Sequence, residues 1–277
     1  MSGKLYVVGT PIGNLGDFSP RAVETLEKVD FIAAEDTRVT VKLLNHFGIK
    51  KEMLAYYEHN KNTKGNLIIE RLINGQSCAL VSDAGMPAIS DPGEDLVRQA
   101  RQSGITVEAV PGPSALITAL SVSGMKSGRF CFEGFLSMNK ISRRQHLEEL
   151  RTEKRTMIFY EAPHKLVATL KDMLAFFGDR EITLVKELTK IHETVFKTTL
   201  SQAIEHYSEN SPKGEFVLLI EGMQTSDRQY TLEDATKIAQ KLISEGEATS
   251  SAAKRAAEIT GIKKSDIYRQ ALTGFNL

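Results

Sequence analysis

Three short apolar runs in the first half of the chain each lead directly into a loop rich in glycine and proline, and this pattern narrows the possible folds most. The run at 5–8 leads into Gly9-Thr10-Pro11-Ile12-Gly13-Asn14-Leu15-Gly16-Asp17. The run at 78–81 leads into a loop over 82–93, opening Ser82-Asp83-Ala84-Gly85-Met86-Pro87, and the run at 107–110 into Pro111-Gly112-Pro113-Ser114-Ala115. Together with a fourth run at 31–34, they alternate with amphipathic stretches at 20–28, 39–47, 64–73 and 94–103. Strands alternating with helices of this length predict crossover units and a parallel sheet. The runs are continuously apolar, as expected of strands covered on both faces. Glycine permits close backbone approach, and proline fixes loop shape without offering a donor. One such loop is most often a tight turn. Three at the carboxyl ends of strands in one open sheet point to a shared ligand crevice.

The first loop spaces its glycines as GxxxGxxG, with Pro11 near the place where a dinucleotide motif has its second glycine. No Lys-Ser or Lys-Thr pair follows, so a Walker-type phosphate loop is excluded. Glu35 and Asp36 after the second run keep a dinucleotide reading open, while the prolines weigh against it.

After Gly124 the rhythm changes. Strand-like segments at 129–133, 157–160, 182–186, 194–199 and 216–221 come closer together, and the short connector between 182–186 and 194–199 allows antiparallel pairing. The fold class is therefore α/β, with a parallel-sheet domain over 1–122 and a mixed-sheet domain over 123–228. A polar stretch at 224–229 leads to a helical unit over 229–277. Within it an alanine-rich helix at 250–260, a turn at Gly261-Ile262 and a basic helix at 263–272 resemble a helix-turn-helix.

Composition excludes several classes. Lys+Arg and Asp+Glu both number 35 in 277 residues, so the global charge advertises no polyanionic partner. The longest charge-free stretch, at 110–125, is too short and polar to cross a bilayer. No signal peptide precedes the run at 5–8. Cys78 and Cys131 fall in apolar runs and read as buried thiols of a reduced, cytoplasmic protein with no membrane partner. The six histidines are each at least 13 positions apart, which excludes a local zinc pair; no metal is expected.

The strings YVVGTPIGNLGD, AAEDTR, SDAGMPAISDPG, VPGPSA, FEGFL, YEAPHK, KELTKIHE and GEFVLLIEG carry a resemblance. The chain resembles the tetrapyrrole-methylase-like class of S-adenosylmethionine methyltransferases over residues 3–222. AAEDTR, YYEHN and YEAPHK resemble, within that class, the enzymes that methylate a cytidine ribose 2′-hydroxyl in the decoding region of small-subunit 16S rRNA. The resemblance extends to the helices over 230–277. It implies two α/β domains with the methyl donor, S-adenosylmethionine, in the cleft between them, and a homodimer. Carried over position by position, it implies donor contacts at Ile12, Asp83, Met86, Ser114, Ala115 and Ala162, with 214–216 closing the adenine side. Asp83 is the polar anchor of that set; its structural alternative is to cap the following helix.

A ribose hydroxyl is a weak acid, so transfer to it calls for a base or an alkoxide-stabilising cation. Glu35, Asp36, Arg38, Glu133, Lys186, Glu187 and His192 all sit at strand ends. Glu133 and Glu187 are taken as the catalytic pair. Asp36 reads equally as a helix N-cap. His59, beside Tyr57, and His164 are expected on the substrate side, where rings suit contact with splayed RNA bases. Residues 126–144 carry five basic side chains against one acidic, and 248–277 five against two. Arg143 and Arg144 are expected to contact RNA phosphates from a flexible loop over 136–144. Two rival readings stand beside this one: methylation of a small tetrapyrrole, and a non-enzymatic nucleic-acid-binding protein on a degenerate methylase fold.

Overall fold

The computed structural model describes residues 2–224 and 230–273. The apolar runs of the first half become strands β1 (Lys4–Val8), β2 (Phe31–Ala34), β4 (Cys78–Val81) and β5 (Thr106–Val110). A further strand, β3 (Glu52–Ala55), pairs at the sheet edge beyond β2. Its sequence gave no strand signal, because it opens on Glu52 and an edge strand needs no continuous apolar run; Glu52 instead holds Arg71 at 2.6 Å. Helices α1 (Pro20–Lys28), α2 (Thr37–His46), α3 (Lys61–Ile73), α4 (Gly93–Gln102) and α5 (Ala115–Val122) make the crossovers.

Local chemistry sets the helix starts. Pro20 lies in the first turn of α1, and the Ser19 hydroxyl accepts from the Ala22 N–H at 3.1 Å. Asp36 caps α2 by accepting from the Arg38 N–H at 2.8 Å. The strands run in the order β3-β2-β4-β1-β5, all parallel. The chain leaves β1 toward β2 on one side and leaves β4 toward β5 on the other. The crevice beyond β1 and β4 is therefore the topological switch point, where open α/β sheets bind ligands.

The second half forms β6 (Phe130–Phe135), α6 (Lys140–Glu149), β7 (Thr156–Glu161), α7 (Leu166–Phe177), β8 (Glu181–Lys186), β9 (Thr194–Thr199), α8 (Leu200–Glu209) and β10 (Phe216–Ile220). Its sheet is mixed, in the order β6-β7-β10-β8-β9, with β6 parallel to β7 and the other pairs antiparallel. The segment 136–144 is not a loop throughout: α6 begins at Lys140, where the Asn139 side chain accepts from Ile141 and Ser142 N–H.

Two apolar clusters cover the faces of the first sheet, around Phe31 and Leu5 on one side and Ile32 and Leu26 on the other. A third cluster joins Ile12 and Leu116 from the first half to Ile158, Val185 and Val217 of the second sheet. Burial of side chains this size contributes about 1.5–3 kcal/mol each, so the two halves share a core. Residues 1–223 accordingly form one compact unit and 224–277 another. The second unit comprises α9 (Leu232–Ser244), α10 (Thr249–Thr260) and α11 (Lys264–Thr273) around Ala235, Ala239, Ala253, Ala256 and Ile267. Gly261, in the left-handed conformation, ends α10 before α11. Of the expected polar connector 224–229, positions 225–229 lie outside the described residues, as do 274–277 of the tail. Among the described residues no helix is long and apolar enough to cross a membrane.

Candidate functional site

The three glycine- and proline-rich loops are fastened to one another. Thr10 and Gly85 exchange both backbone hydrogen bonds, at 2.9 and 3.1 Å, bridging the loops after β1 and β4. The Thr10 hydroxyl adds a bond to the Ser82 carbonyl at 3.3 Å. Gly9 lies so close to the loop after β5 that a Cβ there would stand 2.7 Å from the Gly112 Cα and 2.7 Å from the Met86 sulfur. Glycine is required at both positions by this backbone approach.

Beyond these loops lies a cavity of about 510 Å³, within the range that takes a drug-sized ligand. Ile12, Asp83, Met86, Ser114 and Ala115 line it from the first sheet, and Ala162 from the second. All six residues expected to touch the donor thus share one cavity. Opposite the loops, Phe135, Tyr160, Val185, Leu188, Phe216 and Val217 make an apolar wall. The register gathers that wall, because Phe216 at the start of β10 pairs with Glu161 at the end of β7 and Lys186 at the end of β8. The Tyr160 hydroxyl accepts from the Leu116 N–H at 3.1 Å and so ties β7 to α5. Ser114 stands at the N-cap of α5, yet its side chain makes no capping bond.

Charge on the cavity wall has one sign. Glu35, Asp83, Asp91, Glu161 and Glu215 line it, and no Lys, Arg or His does among the described residues. Three of these are committed locally. Glu161 accepts from the Thr169 hydroxyl at 2.5 Å and the Ala162 N–H at 2.8 Å. Asp91 accepts from Ala88 and Gly93 N–H, and Glu215 faces Lys190 at 3.4 Å. Asp83 does not cap α4; it accepts from the Asp36 N–H at 3.0 Å. Glu35 accepts a long bond, 3.4 Å, from the Asp83 N–H. Burial pushes the Glu35 carboxyl above its ordinary range, with Asp83, Asp91 and Asp36 adding to the effect. Burial raises Asp83 as well. Asp36, outside the cavity, is held down to about 2 by its hydrogen bonds with Arg38.

Neither Glu133 nor Glu187 lines the cavity. The pairing of β6 with β7 slips between Phe132 and Gly134, leaving Glu133 as the extra residue of a bulge. Its carboxylate meets His146 Nε2 at 2.9 Å. Glu187 has φ of 52° and brackets the β8–β9 turn, accepting from Lys190 Nζ and the Glu215 N–H at 3.1 Å each. Burial opposes its ionisation, but the lysine and the N–H outweigh this and hold its carboxyl below the usual range. The sequence signal for Glu35 was its place after β2, shared with Asp36; only the fold separates the two.

The residues expected on the substrate side are spread more widely. His164 follows Ala162 and Pro163 at the cavity edge, in a single 3-10 turn. His59 lies in the turn after β3 with its ring 6.4 Å from Tyr57. Arg143 is turned onto Asp172 at 2.7 Å, and Arg144 lies over the Phe176 ring at 5.5 Å. Among the described residues no group of three or more His, Cys, Asp or Glu could hold a metal ion.

Comparison with known proteins gives the same fold and a closer kinship. Residues 4–204 match the family Tetrapyrrole (Corrin/Porphyrin) Methylases. A protein of Xylella fastidiosa named ribosomal RNA small subunit methyltransferase I is 52% identical, over 96% of this chain and 98% of its own length. A Synechocystis protein of the same name is 47% identical over 98% of each. Among solved structures, a uroporphyrin-III C-methyl transferase from Thermus thermophilus, complexed with S-adenyl homocysteine, superposes with a TM-score of 0.55 at 20% identity. That likeness covers 78% of this chain and 97% of the other.

Proposed function

This chain belongs to the tetrapyrrole methylases, and among them to the ribosomal RNA small subunit methyltransferase I proteins, and from that premise we propose that it methylates small-subunit ribosomal RNA. More finely, the methyl group goes from S-adenosylmethionine to the ribose 2′-hydroxyl of a cytidine in the decoding region. The observation that carries the reading is the cavity wall with carboxylates and, among the described residues, no basic side chain. A low-dielectric pocket of that sign favours a cationic ligand and repels phosphates, which disfavours a dinucleotide. S-adenosylmethionine fits, since its sulfonium and ammonium outweigh its single carboxylate and leave a net cation on a partly apolar body of modest size. Ile12, Met86, Ala115 and Ala162 would hold the apolar parts, and Asp83 and Ser114 the polar ones.

What the donor supplies when bound is an activated methyl, so the protein's task is chiefly alignment, which contributes on the order of 7–11 kcal/mol in well-oriented cases. Glu35 is the side chain suited to take the hydroxyl proton. Its raised carboxyl is a better base than an ordinary one, and among the described residues the hydrogen bond it accepts from the Asp83 N–H is a long one. His59, His164, Arg144 and the basic residues of the helical unit contribute to holding RNA. Arg143 does so less directly, through its pairing with Asp172. The substrate is proposed to be the assembled small ribosomal subunit, and the protein a homodimer.

The test is incubation with methyl-labelled donor and small subunits lacking the modification, beside naked 16S rRNA, followed by mapping of the label. Label on one cytidine ribose is expected. Donor binding without label in either RNA would overturn the reading.

A further inference from the structure

A second, smaller hollow of about 280 Å³ adjoins the cavity and shares Ser82 and Asp83 with it. It lies between the loop after β1 and the face of α2, with Leu15, Val39 and Leu43 as apolar walls. Leu15 and Val39 remain 42% and 39% exposed, so apolar surface stands open at its rim. Its charged groups are Lys42 at the mouth and Asp83 at the shared wall. Lys42 makes no ion pair among the described residues.

We propose that this hollow receives one unstacked pyrimidine nucleoside of an RNA strand, presenting its ribose across the Ser82–Asp83 wall to the larger cavity. The inference rests on the reading of the chain as an RNA methyltransferase and deepens it by assigning the acceptor subsite. Three features favour this occupant. An enzyme acting on a nucleotide within RNA must take it out of the stack into a pocket, where its base loses solvent against apolar or aromatic groups. The hollow supplies such groups on both the β1 loop and α2. Its volume, at the small end of ligand cavities, suits one nucleoside better than a macrocycle or a second donor molecule. One cation at the mouth and one carboxylate at the inner wall match the polarity of a nucleotide, phosphate outward and hydroxyls inward. Glu35, which lines the larger cavity and whose carboxylate meets the Asp83 N–H, is then next to the shared wall on the donor side.

Val39→Trp fills the hollow from its exposed rim, and Leu43→Trp fills it from within. Each is expected to weaken RNA binding measured without donor by about tenfold or more, the scale of losing one base contact. Donor affinity by calorimetry should stay at the wild-type value and also reports the fold. If Leu43→Trp does not fold, Val39→Trp and Lys42→Ala carry the test. The latter should lower the salt slope of binding by about 0.7, one single-strand phosphate. A photoactivatable thiopyrimidine at the modified position should crosslink within residues 37–46 or the loop over 10–15. Wild-type RNA affinity in Val39→Trp, with the crosslink elsewhere, would overturn the subsite while leaving the activity standing. A wild-type protein that binds donor yet neither binds nor methylates RNA would overturn the activity, and the subsite with it.

Discussion

The two walls of the cavity are built by opposite means. The wall from the first sheet is made of loops, mixing Glu35, Asp83 and Asp91 with Ile12, Met86 and Ile89, and fastened backbone to backbone through Thr10–Gly85 and Gly9–Gly112. The wall from the second sheet is made of side chains on strand ends, apolar except for Glu161 and Glu215. A parallel sheet sends every loop that follows a strand to one edge, so chemistry collects there from separated segments of sequence. An antiparallel sheet returns strand ends and strand starts to the same edge, and here the register sets Glu161, Lys186 and Phe216 abreast. The first arrangement gathers polar groups from separate loops on one wall of the cavity. The second supplies a flat apolar surface against which a ligand can rest.

The contrast breaks most sharply at Glu35. Glu35→Gln should reduce methyl transfer by about 10²–10⁴-fold in single-turnover assays, the usual range for a general base, and weaken donor affinity far less, since four other carboxylates still line the cavity. The variant also carries a stability signature. The Glu35 carboxyl is raised above its ordinary 4.5 by burial, so the fold favours the protonated form. Its contribution is present below the unfolded value and is lost as pH rises through the folded one. Melting curves should therefore show the glutamine variant gaining on the wild type as pH increases from about 4.5, the unfolded carboxylate range. A constant difference across pH would mean that the fold does not shift the Glu35 carboxyl.

A smaller effect separates a glycine of the loop wall from one outside it. Gly9→Ala should cost about 1–3 kcal/mol of stability from overpacking against Gly112 and Met86, and donor binding should weaken with it. Gly128, with nothing within 4 Å of an added Cβ, should accept alanine without loss. Equal denaturant midpoints for the two variants would mean that the loops are not locked together. Asp83→Ala tests the polar anchor alone. A loss of about 1–3 kcal/mol in donor affinity is expected, read by calorimetry, with thermal stability little changed. An undiminished affinity would leave Asp83 only its bond to the Asp36 N–H.

Some of the second wall was legible in sequence and some was not. Ala162 and the segment 214–216 stood out through strings shared with a known class. Tyr160, Val185, Leu188 and Val217 did not, because each is one apolar residue among many and nothing local marks the end of a strand as a cavity wall. The edge strand Glu52–Ala55 and the helix at Lys140–Glu149 were hidden for a related reason. Pairing and capping, rather than apolar periodicity, hold them in place.

The amino-acid order by itself determined the parallel sheet, the mixed sheet and the three loops, since four apolar runs and clustered glycine and proline act through local backbone preference and burial. The tertiary structure alone decided which carboxylate faces the cavity. Glu133 is the extra residue of a bulge, and Glu187 sits at positive φ against Lys190, while Glu35 is directed inward beside Asp83. A side chain's direction at a strand end depends on register, bulges and turns set by partners far away in sequence, and short stretches of residues do not contain that information.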